Sequence, residues 1–354
     1  MTNRSQKHLS LLFTLVILAL TACLPVNPNS IPLRTESQTS QSTTPAAAAT
    51  FEPTSTSTQI PAPSPNPTLP DTPAASATPA ARVQRVLIIS FDGLRPDAID
   101  LAPMPTLQAL MKIGAYSLTA RTIFPSVTLP SHTSMLDGLC PAKHGVDWND
   151  YLPAKGFAHG TNLMDLAHAA GLKTVMFVGK EKLVQVGNPA NVDLFRYIND
   201  RDTVIAQRFT EELPLDFGVM FLHFPTIDGM GHAYGWMSPQ YMSVARRADQ
   251  ALAMVLKDLE DHSLRDGTLI FLTADHGGHL QSHGTKKTED MLIPWVVVGP
   301  GVHPGILKTP VETTDTAATA AWALGLPIPH DWDGVPVYEI FGETGKPRLN
   351  PYCE

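Results

Sequence analysis

Solid apolar runs punctuate the last three-quarters of the chain, and segments that read as helices separate them. Val83–Ser90 (which closes on V-L-I-I), Lys173–Val178, Phe217–Phe224, Leu269–Leu272 and Ile293–Val298 are short and rich in β-branched or aromatic residues. Runs of that kind, without alternation to polar residues, predict strands covered on both faces. Pro105–Gly114, a segment opening at Pro130, Gly160–Gly171, Asp202–Leu213, Ser238–Leu259 and Thr313–Leu324 read as helices. Their alternation predicts an α/β fold: a doubly wound, mostly parallel central sheet with helices on both faces. No internal repeat is visible.

The pattern before residue 83 is different. Residues 1–23 have a basic start (Arg4, Lys7, His8) and then a mostly apolar stretch, Leu9–Leu20, too short for a comfortable membrane span. L-T-A-C follows, and it resembles the lipobox of bacterial lipoproteins, in which cleavage leaves the Cys, here Cys23, carrying lipid. That resemblance implies an extracytoplasmic protein anchored to a bacterial membrane. Residues 24–82 are Ser, Thr, Pro and Ala with almost no aromatics. Such a segment buries too little to order itself, and it predicts a spacer. The folded domain is expected over 83–354.

Composition narrows the chemistry. The net charge is −8, so no basic face asks for a nucleic-acid duplex. Three Cys exclude a disulfide scaffold or a Cys-rich metal site. With Cys23 lipidated, Cys140 and Cys353 remain. They could pair in an oxidising compartment or stay as buried thiols, and the sequence does not choose. The 13 His cluster in the last two-thirds.

Several predicted strands end on groups that bind metals. Leu269–Leu272 runs into T-A-D-H-G-G-H-L-Q-S-H-G-T, which places Asp275, His276, His279 and His283 within nine residues on glycine-softened backbone. A carboxylate with imidazoles suits a borderline metal such as zinc. Asp92 ends the first strand in F-D-G-L-R-P, where a plain Asp-Gly turn is the simpler reading. Asp228 and His232 lie four apart in D-G-M-G-H after Phe217–Phe224. Thr128 precedes Leu129-Pro130 at a helix start. It is either an N-cap or a nucleophile at the positive end of the helix. His223 reads as a packed histidine or as a partner of a ligand. Arg95 and Lys180 are possible cations but read more simply as surface residues, and Arg246 and Arg247 read as a solvated face. Three carboxylates and three imidazoles at one sheet edge divide into two mixed O,N sites with Thr128 between them. Two metals so placed clamp the oxygens of an in-line displacement. No separate Ser-His-Asp arrangement and no P-loop stand out.

Asp92 in D-G-L-R-P, then T-L-P-S-H, H-G-V-D-W-N, D-G-M-G-H, A-D-H-G-G-H and S-H-G-T occur in this order. Together they resemble the alkaline phosphatase superfamily, and within it the type I phosphodiesterase/nucleotide pyrophosphatase branch, over roughly residues 83–345. The resemblance implies that Asp228, His232 and His283 hold one zinc. It gives the other to Asp92, Asp275, His276 and the Thr128 oxygen. Thr128 would take the phosphoryl group covalently, and the Leu129 N–H and Asn149 would bind a nonbridging oxygen. Asn149 is otherwise a turn residue. Ser131 departs from the Asn of many members, and His279 is a rival to His283. The implied activity is hydrolysis of phosphodiester or pyrophosphate bonds in a small phosphodiester or nucleotide substrate.

Phosphomonoester or phosphonate hydrolysis with the same metals is the sibling reading. Apolar walls around the leaving group favour a diester, and an added cation near the phosphate favours a monoester. Phe91, Phe124, Trp148 and Tyr151 lean towards the diester only slightly, since each is at home in a core. Sulfatase chemistry is disfavoured, because T-L-P-S-H lacks the C/S-x-P-x-R context. A catalytically inactive binding lipoprotein is the reading of another class, and such proteins usually lose ligands. Oligomeric state is left open.

Overall fold

The apolar runs become the middle of one eight-stranded sheet. Its strands are β1 (Arg85–Phe91), β2 (Ala115–Arg121), β3 (Lys173–Val178), β4 (Leu194–Tyr197), β5 (Phe217–Phe224), β6 (Thr268–Thr273), β7 (Leu292–Val298) and β8 (Gly305–Ile306). They lie in the order β4-β3-β5-β1-β6-β7-β2-β8. The structure, a computed structural model, describes residues 81–345 and Cys353. The export segment and the spacer as far as residue 80 lie outside the described residues. Arg82 is part of the fold. Its N–H donates to Ala323 O at 2.8 Å, and its guanidinium covers the Trp322 ring at 3.6 Å.

β4, β3, β5, β1 and β6 run parallel, as expected for strands joined through helices. β7 looks equally apolar in sequence but is antiparallel to β6 and to β2. The direct loop from β6 returns at the edge where β6 ends, so the next strand can only run back. β2, β4 and β8 were not expected. β2 mixes Ser, Thr and Arg with its apolar residues, β4 is half exposed, and β8 is two exposed residues. Strands near a sheet margin leave less to bury, so they leave no solid apolar run.

Every residue of β5 and β6 is buried, and all but Arg85 of β1. Both faces of these strands are therefore covered. The helices that cover them form two mutually packed groups. One includes Pro105–Ile113, Asp202–Glu212, Thr226–Tyr234 and Pro239–Asp261; the other includes Thr128–Asp137, Leu163–Ala169 and Asp315–Ala323. At about 25 cal/mol per Å² of apolar surface, this burial is the main term holding the sheet together. No helix among the described residues is long and apolar enough to cross a membrane.

Register sets the functional edge. Ser90 of β1 pairs with His223 of β5 and with Thr273 of β6, so these three strands end level. Phe177 near the end of β3 pairs with Leu222, which brings Gly179 and Lys180 to the same edge. A disulfide joins Cys140 to Cys353 with their Cα atoms 5.3 Å apart, across 213 residues of sequence.

Candidate functional site

The β1–Asp92 turn is built around a backbone that only glycine adopts freely. Gly93 has φ +75°, and a Cβ there would stand 3.0 Å from the Asp228 Cα and Cβ. The Gly93 carbonyl accepts hydrogen bonds from Trp236 Nε1 and Tyr241 Oη, each at 2.9 Å. Its N–H donates to Asp275 Oδ1 at 3.0 Å, and that oxygen also takes the His276 N–H at 3.0 Å. The Asp92–Gly93 turn is thereby tied to Asp275, with Asp228 packed close against it.

Each carboxylate keeps one buried oxygen, Asp92 Oδ1, Asp228 Oδ1 and Asp275 Oδ2, with no hydrogen-bond donor among the described residues. The imidazoles facing them carry the complementary signature. His232 Nδ1 donates to Gln281 O, His283 Nδ1 to Ser126 O and His276 Nδ1 to Gly277 O, at 3.1, 2.9 and 2.8 Å. Those bonds set the tautomer and leave each Nε2 as a lone pair. His232 Nε2 and His283 Nε2 stand 3.1 Å apart, and Asp228 Oδ1 lies 3.3 and 3.7 Å from them. Lone pairs facing one another beside an unpaired carboxylate oxygen call for a shared cation, a proton or a metal ion.

Two donor groups meet the distance requirement of a metal site, with ligand atoms within 4.8 Å of one another: Asp228, His232 and His283, and Asp92, Asp228 and His276. Asp275 Oδ2 adjoins the second, 3.2 Å from His276 Nε2. Mixed carboxylate and imidazole donors fit a divalent metal in each group. His279 is elsewhere, paired with buried Asp290 at 2.7 Å.

Thr128 is the first residue of its helix, and its side chain makes no cap hydrogen bond; Val127 is the cap residue. The N-cap reading of the sequence is therefore set aside. Its Oγ1, almost fully buried, lies 3.5 Å from His276 Nε2 and 3.3 Å from Lys180 Nζ. The next backbone N–H, of Leu129, donates to Asn149 Oδ1 at 2.9 Å, which brings Asn149 beside the helix start. Ser131 is fully buried and shares a hydrogen bond with Thr122 Oγ1 at 3.0 Å.

Lys180 is the residue that sequence reasoning misplaced. Its ammonium is 2.7 Å from Asp92 Oδ2 and 2.6 Å from Asp228 Oδ2. The only sequence signal was its place just beyond a strand end. Lys182, not singled out in the sequence, donates to Asn149 O at 2.8 Å and to Asn149 Oδ1 at 3.0 Å. His132 lies within the T-L-P-S-H motif. It bridges Thr128 O and Ser90 Oγ, both at 2.8 Å. His223 takes the Gly179 N–H on Nδ1, so its Nε2–H donates to Asp92 Oδ2 at 2.8 Å. It is packed and it also holds a carboxylate. Arg95 pairs with Asp97 and donates to Gly278 O, bracing the glycine loop rather than facing Thr128. Phe91 is core, while Tyr151 is exposed.

Electrostatics follow from burial against these partners. Burial works to raise the Asp92 carboxyl, but the Lys180 ammonium and the His223 hydrogen bond hold it well below the usual range. Burial and the neighbouring Asp92 push Asp275 well up. Burial and Asp92 also act to raise Asp228, yet the Lys180 ammonium helps to bring it down. Burial lowers His276, and burial with His276 alongside brings His283 to about 4, so both rings are neutral near pH 7 and able to ligate.

A level sheet edge that carries paired carboxylate–imidazole groups beside a buried threonine defines an alkaline-phosphatase-like α/β frame. The chain belongs to the type I phosphodiesterase/nucleotide pyrophosphatase family, whose model matches residues 86–289. It is 28% identical over 290 residues to the human GPI ethanolamine phosphate transferase 2 catalytic subunit, covering 76% of this chain and 29% of that protein. Murine ectonucleotide pyrophosphatase/phosphodiesterase 5 superposes with a TM-score of 0.61 at 17% identity, covering 73% of this chain and 99% of that one. The alkaline phosphatase PafA superposes with a TM-score of 0.60 at 14% identity, covering 75% of this chain and 100% of that one. The chain spans less than half the length of the first curated relatives it matches.

Proposed function

We propose that this chain hydrolyses phosphodiester or pyrophosphate bonds of a small nucleotide-like substrate through a covalent phosphothreonine on Thr128. The observation that carries the reading is a buried hydroxyl 3.5 Å from His276 Nε2, at the sheet edge where three carboxylates and three imidazoles meet. Family membership supports the same bond class. Asp228, His232 and His283 would hold one divalent ion. Asp92, Asp275, His276 and the Thr128 oxygen would hold the other, and the mixed donors suit zinc. Bound there, the dications would supply a lowered hydroxyl pKa at Thr128 and charge to offset the phosphoryl oxygens.

The protein's own groups do the rest. Thr128 loses its hydroxyl proton, and its oxygen forms a bond to phosphorus as the bond to the leaving oxygen breaks; the leaving oxygen takes up a proton. Water then forms a bond to phosphorus as the Thr128–phosphorus bond breaks, returning a proton to Thr128. The Leu129 N–H, which donates to Asn149 Oδ1 here, and the Asn149 amide N–H would bind a nonbridging oxygen of the substrate. Asp275 and Gly93 keep the carboxylates from moving apart.

The Thr128→Ala variant tests this. Aryl phosphodiester turnover is expected to fall by roughly three orders of magnitude or more, with zinc content little changed. Acid-quenched wild-type protein should carry phosphate on Thr128 by mass spectrometry. Near-normal turnover in the variant would remove the covalent mechanism.

The location belongs to the same proposal. A lipid-anchored Cys23 places the enzyme outside the cytoplasm, and the Cys140–Cys353 disulfide supports an oxidising compartment. Membrane fractionation of the Cys23→Ser variant tests the anchor, and a variant still bound to the membrane argues against it.

A further inference from the structure

The loop that leads into Thr128 owes its position to a residue far along the chain. The Phe124 N–H donates to Cys353 O at 3.0 Å. Two residues on, fully buried Ser126 engages the metal-binding loop twice. Its carbonyl takes His283 Nδ1–H at 2.9 Å, and its hydroxyl donates to Thr285 O at 3.0 Å. The Val127 N–H closes the turn on Pro125 O at 2.8 Å, and the Thr128 helix starts at once.

Cys353 is itself held from two sides. Its sulfur is bonded to Cys140, which lies just beyond the Thr128–Asp137 helix and whose N–H donates to Asp333 Oδ2 at 2.8 Å. Its own N–H donates to Glu312 Oε1 at 2.7 Å, on a fully buried carboxylate that also takes the Thr314 hydroxyl at 3.1 Å. One residue therefore grips the segment that carries the nucleophile at both ends, by its carbonyl before the helix and by its sulfur after it. Without that grip the Phe124–Ser126 loop can shift. The Ser126 carbonyl then no longer fixes the tautomer and ring direction of His283.

We propose that Cys353, through its bond to Cys140, is a positioning residue for His283 and Thr128, so that metal binding and turnover depend on the intact disulfide. The proposal rests on the phosphothreonine reading above and adds a redox dependence to it. A disulfide that only restricts the unfolded chain changes stability alone. The Phe124–Cys353 hydrogen bond instead predicts a local change in the folded protein when the bond is cut. A phosphine reductant cuts it: the sulfur–sulfur bond breaks, the phosphine takes the oxygen of one water to become its oxide, and the two protons of that water complete the two thiols.

The experiment compares the wild type with Cys353→Ser and with the double variant Cys140→Ser/Cys353→Ser at a temperature where all are folded. Val255→Ala, buried in the Pro239–Asp261 helix of the other helix group, serves as a variant that loses stability without touching this contact. Hydrogen exchange at the Phe124 N–H is expected to be about tenfold faster or more in the cysteine variants, with the β5 amides unchanged. By competition with a chelator, one zinc equivalent should bind about tenfold less tightly and the other nearly as before. For methyl 4-nitrophenyl phosphate, kcat should fall about tenfold with KM within about threefold, and excess zinc should restore part of the loss. Val255→Ala should lower the unfolding temperature and move none of these. Phosphine-treated wild type, its thiols counted by mass spectrometry, should match the variants, and it carries the test if Cys353→Ser does not fold. The double variant should be indifferent to phosphine, which separates cleavage of the bond from capture of metal by the reductant.

An unchanged Phe124 exchange rate, unchanged zinc affinity or unchanged kcat after loss of the bond each overturns the proposal. So do changes that Val255→Ala reproduces in full. Turnover retained in Thr128→Ala removes the phosphothreonine reading alone, and the exchange and zinc measurements, which need no turnover, still decide whether Cys353 positions His283.

Discussion

At the scale of single residues, the informative feature is which ring nitrogen each histidine has already committed. His232, His276 and His283 give Nδ1–H to a backbone carbonyl and keep Nε2 for the site, whereas His223 accepts on Nδ1 and donates from Nε2. The first three are therefore suited to bind a metal, and His223 is suited to hold a carboxylate that does. Removing His223 leaves Asp92 Oδ2 with Lys180 alone and strands the Gly179 N–H. His223→Ala is expected to weaken zinc binding by roughly 10–100-fold, measured by competition with a chelator. Affinity within threefold of wild type would reduce His223 to packing. The sequence could not separate these roles, since a histidine in a buried strand has the same spelling in either case.

At the scale of elements, the site depends on how closely the β1 turn approaches the Thr226–Tyr234 helix. Gly93 is the closest point. Its positive φ and the 3.0 Å clearance to Asp228 leave no room for a side chain. Gly93→Ala is expected to cost about 1–3 kcal/mol in unfolding free energy and to displace Asp228 from Asp92. Denaturant unfolding and zinc titration check the two effects separately, and an unchanged unfolding midpoint would show that the turn relaxes freely. The elements that carry the site were legible. Lys173–Val178 and Phe217–Phe224 match their predicted limits, and the helix opening near Pro130 begins at Thr128. Such segments declare themselves because both faces are buried. β2, β4 and β8 were not legible, since strands near the margin bury less and carry no solid run.

At the scale of the whole molecule, the Cys140–Cys353 bond ties the chain's end to the segment just after the Thr128 helix. Cys353 N also donates to Glu312 Oε1 at 2.7 Å. Close by in sequence, His144 is fully buried, accepts the Val146 N–H on Nδ1 and faces Ser134 Oγ with Nε2. Burial lowers its pKa from 6.5 to about 4. The folded protein then binds fewer protons than the unfolded chain between those values. Its contribution to stability is full above about pH 6.5 and is lost as pH falls through about 4, amounting to roughly 3 kcal/mol. His144→Gln retains a donor and an acceptor but cannot titrate. Unfolding free energy measured from pH 7 to pH 4 should fall less steeply in that variant, and parallel curves would show that His144 does not contribute.

The sequence by itself determined the strand-and-helix alternation, the residues at the strand ends and the order of the motifs, because each is a local property of burial or composition. Whether Cys140 and Cys353 pair, that β7 runs backwards, and that Lys180 and Lys182 reach Thr128 and Asn149 were decided only in three dimensions. The physical reason is that a long lysine side chain reports nothing of its destination. Its ammonium goes where the packed sheet edge has left carboxylates and amide oxygens to receive it, and that edge exists only once four strands are level.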